Sequence, residues 1–511
     1  MQEEEQEDYT NYDELNIGDY VSFPEETKPL VPELIVEHTS EQLTFIEAPF
    51  KPNSPSIILS ATAGSGKTKC LIARLKYLLA NGVDPKKIIC FSFTTAAVGE
   101  IKARLGNDDI KVTTIHSFCM SLLGRMKKMK KVATFYDFIK WYKEHYKPKI
   151  GSYATKQKDI DKFYADVEKL YDNADYLASE ISAFKLQSAE NMKTKVPDFW
   201  LQYSAFLKLT KSMDFSDMLI LTKDALKEQK YLSMAKSQFA VNHLFIDEFQ
   251  DSSVLQAKIL QSVAPSAIVY LLGDKAQSIY GFSNANCDAV IDFFKKRKQI
   301  VEMTLSINFR SKKSIVENSN KYTNLQAKSN SNENGFVERK IILFEDLVEL
   351  LKKDEPITIL ARTNAVIRDI EKRLIIMKMP NFRFFNFLKE NEILDLKSAK
   401  ERISTKKKIN ELLPYFGNSL DNIIKFVEDS RGGNSTIRTI HAAKGLEFKH
   451  IVVCNSISPE MLEENGITDL PQQAFEQISF NHDDEDKEPM NIHYVAVSRG
   501  IDSNRFLLYE N

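Results

Sequence analysis

The distribution of hydrophobic and polar positions indicates an alternation of strands and helices from about residue 39 onward. The apolar run SIILS (56–60) predicts a short buried strand. In the stretch that follows, KTKCLIARLKYLLANG, apolar residues recur at the spacing of one helical face, and Asn81 and Gly82 are typical of a helix end. Strands that alternate with helices predict an α/β fold with parallel sheets. Further buried strands are predicted at 87–93, 243–247, 267–274, 301–305, 357–361 and 450–454.

Three segments depart from this alternation. Residues 1–38 are acidic, contain three prolines and lack a helical period, which predicts a disordered or loosely docked tail. Residues 125–205 are rich in Lys, Tyr and Phe and predict a helical insertion. Residues 377–435 are rich in Lys and end in the flexible sequence RGGNS, which predicts a second, smaller insertion.

Length and composition favour several domains and no membrane span. The chain has 511 residues, of which 43% are apolar, and no apolar run approaches the roughly 18 residues that a membrane helix needs. The acidic N-terminus excludes a signal or transit peptide. No two cysteines form a C-x-x-C pair, so neither a zinc ribbon nor an iron–sulfur cluster is predicted. We expect four of the five cysteines, which stand beside apolar residues, to be small core residues, and a cytoplasmic location, in a bacterial cell or an infected host cell.

The net charge of −2 conceals a strong asymmetry. Residues 1–41 contain thirteen Asp and Glu residues against one base, Lys28, so the other 470 residues carry a net charge of +10. A basic body with runs such as RMKKMKK (125–131) attracts phosphate backbones, although a solvated lysine-rich face gives the same pattern. The acidic tail would either cover a groove that binds phosphate backbones or serve solubility or partner binding, and we favour the second interpretation.

The sequence ATAGSGKT (61–68) lies between a predicted strand and a predicted helix, which is the context of a phosphate-binding loop. Its end fits the pattern G-x-x-x-x-G-K-[ST], but Ala61 stands in place of the opening glycine. In such a loop backbone N–H groups face the phosphates, the lysine (Lys67) reaches the β and γ phosphates, and the hydroxyl group (Thr68) binds magnesium. The sequence therefore predicts that the protein binds ATP and Mg²⁺.

An acidic pair follows another predicted strand, in the sequence LFIDEFQDSS (244–253). Asp247, at the end of the strand, is placed to hold the magnesium ion through its hydration shell. The adjacent Glu248 is a candidate general base for the attacking water. Acid pairs after strands are common in loops, so this prediction depends on the phosphate loop upstream.

Five segments occur in a characteristic order after the loop: DEFQD (247–251), GDKAQSIYGF (273–282), NFRS (308–311), TIHAAKGLEF (439–448) and YVAVSRG (494–500). Together with the loop they resemble the motif series of the UvrD/Rep family of superfamily 1A DNA helicases, from about residue 39 nearly to the end. Members of this family usually have alanine at the position of Ala61. The departures are Thr62, where the family usually has glycine, and Lys69, where it usually has arginine.

The resemblance implies two RecA-like motor domains with parallel sheets, with ATP between them and DNA across both. The expected boundaries are 39–124 and 206–300 for the first motor domain (1A), 125–205 for its helical insertion (1B), 301–376 and 436–511 for the second motor domain (2A), and 377–435 for a reduced 2B-like insertion.

The resemblance also assigns roles at the ATP site. The residues expected to act in hydrolysis are Lys67, Asp247, Glu248, the γ-phosphate sensor Gln277 and two arginine fingers, Arg310 and Arg499. The residues expected to contact the nucleotide are Gln42 at the adenine edge, Ala63, Gly64, Ser65, Gly66, Lys67 and Thr68 in the loop, Lys69, Phe309 stacked on adenine, Arg310, Glu447 at the ribose, and Arg499. Thr68 and Asp247 are expected to bind the metal. For Gln42, a place on a surface loop is the alternative.

On the DNA side, the resemblance assigns strand contacts to Phe93, Thr94, His116, Tyr280, Phe282, Thr439 and His441. Stacking of bases on aromatic side chains tolerates any sequence and contributes roughly 1–3 kcal/mol per base. The alternative is that some of these aromatic residues are core, above all Phe93 at the end of an apolar strand, and that the histidines are structural.

Two features make duplex unwinding a weaker expectation than ATP hydrolysis. About 60 residues separate ARTNAVIRDIEKRL from TIRTIHAAKG, and eleven follow YVAVSRG, so neither a large accessory domain nor a strand-separating hairpin is expected. The leading hypothesis is an ATP-driven motor, monomeric or weakly oligomeric, that moves 3′ to 5′ along single-stranded DNA and acts at DNA junctions. Whether such a motor also unwinds duplex or only moves along one strand stays open at this point. The alternative is a DNA-stimulated ATPase subunit that clamps DNA and recruits a partner such as a nuclease, without unwinding.

Overall fold

A computed structural model provides the structure of this protein. It describes residues 38–148, 157–172, 174–189, 195–279, 285–342, 344–352, 355–379, 382–383, 403–430, 435–457 and 488–510. The acidic tail, apart from its last residue, and the candidate DNA contacts Tyr280 and Phe282 lie outside the described residues. What the sequence predicts for them stays a prediction.

The first half of the chain forms a six-stranded parallel sheet. The strand order is β3-β2-β6-β7-β1-β8, and each of its five pairings is parallel. A short parallel pair, β4 with β5, lies outside this sheet. The strands are β1 (Ser56–Ala61), β2 (Ile88–Phe91), β3 (Lys111–Thr113), β4 (Lys131–Val132), β5 (Ser212–Met213), β6 (His243–Asp247), β7 (Ile268–Gly273) and β8 (Ile300–Leu305).

Helices cover both faces of this first sheet, since two separate clusters of buried apolar side chains include its strands. The helices of this half are Ser40–Ile46, Lys67–Ala80, Thr95–Leu105, Ile115–Arg125, Phe135–Tyr146, Gln157–Asp172, Ala174–Ala189, Trp200–Leu209, Phe215–Ala225, Gln229–Gln238, Val254–Val263 and Cys287–Lys295, with 3-10 turns at Pro85–Lys87, Phe249–Asp251 and Lys275–Gln277. Most of the segment expected to be a helical insertion packs around its own aromatic core, which includes Phe138, Tyr203 and Phe206.

The second half forms another six-stranded parallel sheet. Its strand order is β11-β16-β15-β12-β14-β13. The strands are β9 (Ile307–Asn308) and β10 (Lys328–Ser329), which pair with each other, and β11 (Phe336–Ile342), β12 (Ile357–Ala361), β13 (Phe382–Arg383), β14 (Ser435–Thr439), β15 (Phe448–Ile457) and β16 (Gly500–Glu510). The prediction of an α/β fold with parallel sheets is confirmed. The domain boundaries stay a prediction.

The described part of segment 377–435 packs against the second sheet. Ile409, Leu412, Ile423 and Val427 from this segment belong to the same buried cluster as the strands of the second sheet, because their helical spacing presents one apolar face to it. The described part of this segment is therefore built into the second α/β unit. The helices of this half are Lys313–Ser319, Phe344–Leu351, Asn364–Ile376, Ile403–Leu412, Leu420–Asp429, Ile440–Ala443 and Glu488–Val497, with 3-10 turns at Asn320–Tyr322 and Leu413–Phe416.

The two α/β units meet through a shared apolar cluster and several hydrogen bonds. Ala63 and Ile279 of the first unit are buried together with Ile440 and Tyr494 of the second. This contact brings the carboxyl-end loops of the first sheet against the second unit. All five cysteines are free and buried, one more than the four that the sequence predicted to be core residues.

Candidate nucleotide and DNA site between the two sheets

The phosphate loop joins β1 to the helix Lys67–Ala80. Gly64 and Gly66 have positive φ values of 71° and 80°, which glycine adopts without strain. A Cβ atom on Gly64 would lie 2.7 Å from Cβ of Arg310, so a side chain does not fit there. The helix begins without a side-chain cap, and the first N–H groups of a helix have no partner within it. The N-terminus of this helix therefore presents backbone N–H groups and the positive end of the helix dipole at the loop, the requirements for binding phosphate.

Thr62, which departs from the family pattern, is accommodated by the loop. Its backbone N–H and its Oγ1 both donate to the carbonyl of Leu305, over 3.1 and 3.2 Å. Ser65 Oγ in turn donates to the carbonyl of Thr62 over 2.7 Å. Within the loop only the two glycines have positive φ, so a β-branched residue at 62 is not strained.

The acidic pair lies at the end of β6, beside the loop lysine. Nζ of Lys67 is 3.1 Å from Oδ1 of Asp247 and 2.5 Å from Oε1 of Glu248. Asp247 is buried, and Ser92 Oγ donates to its other oxygen over 3.4 Å. Glu248 has a left-handed backbone with φ of 54°, an uncommon conformation for a residue with a side chain. The loop and the acid pair thus form one charged cluster.

Burial and charge set the ionisation of this cluster. Burial by itself would raise the pKa of Glu248, but Lys67 and Lys444 lower it to about 2. Burial raises the pKa of Asp247 above its ordinary value, against the opposing effect of Lys67. Burial would lower the pKa of Lys67, but the two carboxylates raise it. Glu248 is consequently a carboxylate at neutral pH, able to accept a proton.

Gln250 orients Glu248, a contact that the sequence predictions did not include. Its Nε2 donates to Oε2 of Glu248, and its Oε1 accepts from the backbone N–H of Asp274 over 3.2 Å. An amide can donate and accept at once, so it links the acid pair to the turn that carries Gln277. The only sequence signal for this residue was its place within DEFQD.

The second α/β unit contributes two arginines. Arg499 is buried, and its Nη2 donates to Oε1 of Gln277 over 3.0 Å. Arg310 Nε donates to Oε2 of Glu447 over 2.7 Å. Burial lowers the pKa of Arg499 to about 10, and the charge of Arg310 acts in the same direction. Two neighbouring guanidinium groups, one of them fully buried, form a region that favours an anion.

Hydrogen bonds to the backbone of the phosphate loop fix the second unit against it. Asn308 Nδ2 donates to the carbonyl of Ala63 over 2.7 Å, and Tyr494 Oη accepts from the N–H of Ala63 over 3.2 Å. The N–H of Phe309 donates to the carbonyl of Gly64 over 2.9 Å, while the residue as a whole is 47% exposed. Phe309 is thus anchored beside the loop and remains accessible to solvent.

Gln42 lies against the loop and is buried, so the alternative of a surface loop is wrong. Its Nε2 donates to the carbonyl of Ser65 over 3.1 Å, and its Oε1 accepts from the N–H of Thr39, closing the N-terminal cap of the helix Ser40–Ile46. Lys69 is exposed on the helix that follows the loop. The amide of Gln42 therefore positions the loop in this structure.

The residues present fit a magnesium ion. Thr68 Oγ1 and the Asp247 carboxylate are oxygen donors, the kind that Mg²⁺ prefers, and Mg²⁺ commonly keeps waters and phosphate oxygens as its other ligands. Among the described residues there is no group of three or more His, Cys, Asp or Glu side chains that could hold a metal alone. The site suits an ion that arrives with a phosphate.

The predicted DNA contacts of the first unit lie at the carboxyl end of its sheet. β2 ends at Phe91, so Phe93 follows the strand and is 40% exposed, and the interpretation of Phe93 as core is wrong. Thr94 is exposed and caps the helix Thr95–Leu105. His116 packs edge-on against Phe215, with 5.3 Å between ring centroids. Phe215 is 50% exposed, and sequence reasoning missed it.

In the second unit, the two predicted DNA contacts have partners within the protein. Thr439 Oγ1 accepts from the N–H of Ala442 and caps the helix Ile440–Ala443. His441 Nε2 donates to the carbonyl of Ile279 over 3.1 Å, and burial lowers the pKa of its imidazole. His441 therefore contacts the first unit immediately before Tyr280.

A comparison with protein families gives one match. Residues 40–299, about half of the chain, match the model described as the UvrD/REP helicase N-terminal domain. The chain belongs to the UvrD/REP helicase family.

Curated relatives in this family are similar to the chain at low identity. The ATP-dependent DNA helicase PcrA of Leuconostoc citreum is 25% identical over 443 residues, which cover 78% of this chain and 56% of that protein. The probable DNA helicase II homolog of Mycoplasma capricolum is 26% identical over 411 residues, covering 71% of this chain and 56% of that protein. The probable DNA helicase of Mycoplasma pneumoniae is 24% identical over 479 residues, 88% of this chain and 79% of its own length. The chain thus spans little more than half the length of the first two relatives.

The described parts of the motif segments lie at the carboxyl edge of the first sheet and in the part of the second unit that contacts it. In the described part of the chain, no helix has both the length and the apolar character needed to cross a bilayer.

Proposed function

We propose that the protein is an ATP-driven motor that moves 3′ to 5′ along single-stranded DNA. The observation that supports this function is the junction of the two units. Lys67 and Glu248 form an ion pair in the first unit, and Arg499 of the second unit donates a hydrogen bond to Gln277 of the first. A site built from two units changes shape when they move relative to each other. This is the arrangement a motor needs, because hydrolysis can then be coupled to domain movement.

The proposed hydrolysis uses the residues in these positions. The loop N–H groups and Lys67 bind the phosphates, and Glu248, a carboxylate at neutral pH, accepts a proton from the attacking water. Arg310 and Arg499 stabilise the negative charge that develops on the transferred phosphoryl group. Gln277 is proposed to sense the γ-phosphate through its contact with Arg499.

Thr68 and Asp247 are proposed to bind Mg²⁺. The ion, when bound, would neutralise charge on the phosphate oxygens. For the nucleoside, we propose contacts from Lys69, the ring of Phe309 and Glu447. Gln42 is proposed to reach the adenine edge from its place against the loop.

The DNA track is proposed to run over the carboxyl end of the first sheet. The exposed rings of Phe93 and Phe215 offer stacking surfaces that tolerate any base, next to Thr94 and His116. Tyr280 and Phe282 are proposed to extend this track. Thr439 is proposed to contact the strand from the second unit.

An ATPase assay with and without single-stranded DNA tests this function. We expect hydrolysis to be stimulated by DNA, and we expect Glu248→Gln to lower turnover by roughly 100-fold or more while ATP binding persists. The exposed Glu349, which pairs with Lys352 at the surface, provides a control, since Glu349→Gln should leave turnover and ATP binding unchanged. ATP hydrolysis that DNA does not stimulate would contradict the proposal.

Strand displacement separates the motor from the alternative, a clamp that recruits a partner such as a nuclease. With duplexes carrying a 3′ or a 5′ single-stranded tail, a 3′-to-5′ motor displaces the strand from the 3′-tailed substrate. A clamp hydrolyses ATP but displaces no strand from either substrate. The proposed substrates are single-stranded DNA and DNA junctions. The proposed location of the protein is the cytoplasm.

A further inference from the structure

Three consecutive carbonyl groups of the first unit accept hydrogen bonds from side chains of the second. Gln277 O accepts from Nζ of Lys444, and Ser278 O accepts from Nδ2 of Asn491 over 2.8 Å. Ile279 O accepts from Nε2 of His441 over 3.1 Å. We refer to His441, Lys444 and Asn491 as the three-donor set. An ammonium group, an amide and an imidazole thus converge on one short backbone segment.

Lys444, the donor to Gln277, is itself fixed by a buried ion pair between the units. Lys444 Nζ lies 2.7 Å from each carboxylate oxygen of Asp251, and their side chains are 8% and 1% exposed. Asp251 closes the turn Phe249–Asp251 that follows Glu248. Breaking a buried pair leaves an uncompensated charge, so this contact is costly to open. Lys444 therefore ties segment 277–279 to the turn that carries the acid pair.

The other two donors are held by helices of the second unit. His441 lies in the helix Ile440–Ala443, and Asn491 in the helix Glu488–Val497, which also supplies Tyr494 to the phosphate loop. Movement of the second unit would consequently shift all three donors together. The chain runs from Ile279 directly into Tyr280, the first of the aromatic residues proposed for the DNA track.

We infer that the three-donor set transmits movement of the second unit to segment 277–279, and so couples the acid pair at the ATP site to the DNA track. His441, Lys444 and Asn491 are thus positioning residues. This assigns His441 a role different from the strand contact that the family resemblance implied. The inference rests on the proposed motor function.

Asn491→Leu tests the inference, because leucine has a similar size and no donor. We expect the variant to keep the basal ATPase rate, the KM for ATP and the affinity for single-stranded DNA. The ratio of DNA-stimulated to basal turnover should fall about tenfold, because the carbonyl of Ser278 loses its hydrogen-bond donor. The matched control is Asn422→Leu, which removes a 3.3 Å bond to the carbonyl of Phe416 within the second unit and should keep the full ratio.

A second pair of variants covers the case in which Asn491→Leu does not fold. His441→Gln retains a donor near the position of Nε2 and should keep the stimulation, whereas His441→Leu should lose it. If Asn491→Leu and His441→Leu both fold and keep the stimulation of the wild type, the inference is wrong.

Hydrogen exchange makes failure of the inference distinguishable from failure of the motor function. Peptides covering 275–279 should exchange faster in Asn491→Leu than in the wild type, while peptides of the phosphate loop should not change. A wild type without DNA-stimulated hydrolysis would contradict the proposed function. Equal exchange in 275–279 in the two proteins would overturn the inference whatever the ATPase result.

Discussion

Nζ of Lys67 lies 2.5 Å from Oε1 of Glu248, so the phosphate loop and the proposed general base form a single ionic unit. The lysine charge helps to keep the pKa of Glu248 at about 2, although burial acts in the opposite direction. One side chain therefore has two proposed roles: it binds phosphate and it maintains the base in its ionised form.

We expect Lys67→Met to abolish ATP hydrolysis, with a loss in kcat of roughly 100-fold or more. The substitution removes the phosphate contact and leaves two carboxylates side by side with less positive charge near them. Turnover and nucleotide affinity can be measured with a phosphate-release assay and a fluorescent ATP analogue. Lys76→Met, at an exposed position of the same helix, should behave as the wild type. Hydrolysis near the wild-type rate in Lys67→Met would contradict the assignment of this lysine.

We expect Thr62→Val to destabilise the protein by about 1 kcal/mol, because it removes the hydroxyl that donates to Leu305 while it preserves shape. Thr62→Ser keeps the hydroxyl and should cost less. Chemical denaturation compares the free energies of unfolding, and an ATPase assay should show little change in either variant. Equal stabilities for the valine variant and the wild type would show that this hydrogen bond makes no net contribution.

We expect Glu248→Gly to be more stable than Glu248→Ala by about 1 kcal/mol. The left-handed backbone at this position is unfavourable for any residue with a Cβ atom, and glycine avoids that cost. Both variants lack the carboxylate, so neither should hydrolyse ATP, and the comparison isolates the backbone. Parallel denaturation curves provide the measurement. A more stable alanine variant would mean that residue 248 relaxes out of this conformation.

We expect ATP turnover to fall as the pH decreases through about 6. Burial raises the pKa of Asp251 to about 6, with Glu248 acting in the same direction and Lys444 and Lys67 opposing it. Protonation removes the charge that pairs with Lys444. The contribution of Asp251 to the free energy of unfolding changes with pH in the opposite direction. Because the pKa is raised in the folded protein, this contribution is greatest below the ordinary pKa of about 3.8 and is lost as the pH rises through about 6.

Turnover should therefore decrease between pH 7 and 5.5. Over the same range, protonation of Asp251 should not lower the free energy of unfolding. Asp251→Asn should have low turnover throughout and should lack this pH-dependent step. His441→Gln should keep the step at the same pH. If the step moves in His441→Gln and remains in Asp251→Asn, the imidazole and not the carboxyl is responsible.

The strands of both sheets illustrate what local patterns can predict. β6 and β12 coincide with the predicted runs because a strand buried on both faces is continuously apolar. By contrast β14, with the sequence STIRT, and β16, which begins GIDSNR, carry polar residues and were not predicted. β14 pairs with β12, and β16 pairs with β15. Such pairing between distant segments decides that they are strands, and the pattern within one segment carries no information about it.

The sequence by itself determined the α/β class, the phosphate loop, the acid pair and the family, because these depend on local periodicity and on motifs of fixed spacing. Only the tertiary structure decided that Phe93 is exposed, that Gln42 lies against the loop and that His441 donates to Ile279. It also showed that Lys444 pairs with Asp251, which lies 193 positions away in the chain. The physical reason is that hydrogen bonds and burial between distant segments depend on how the two α/β units pack, and no short stretch of sequence encodes that packing.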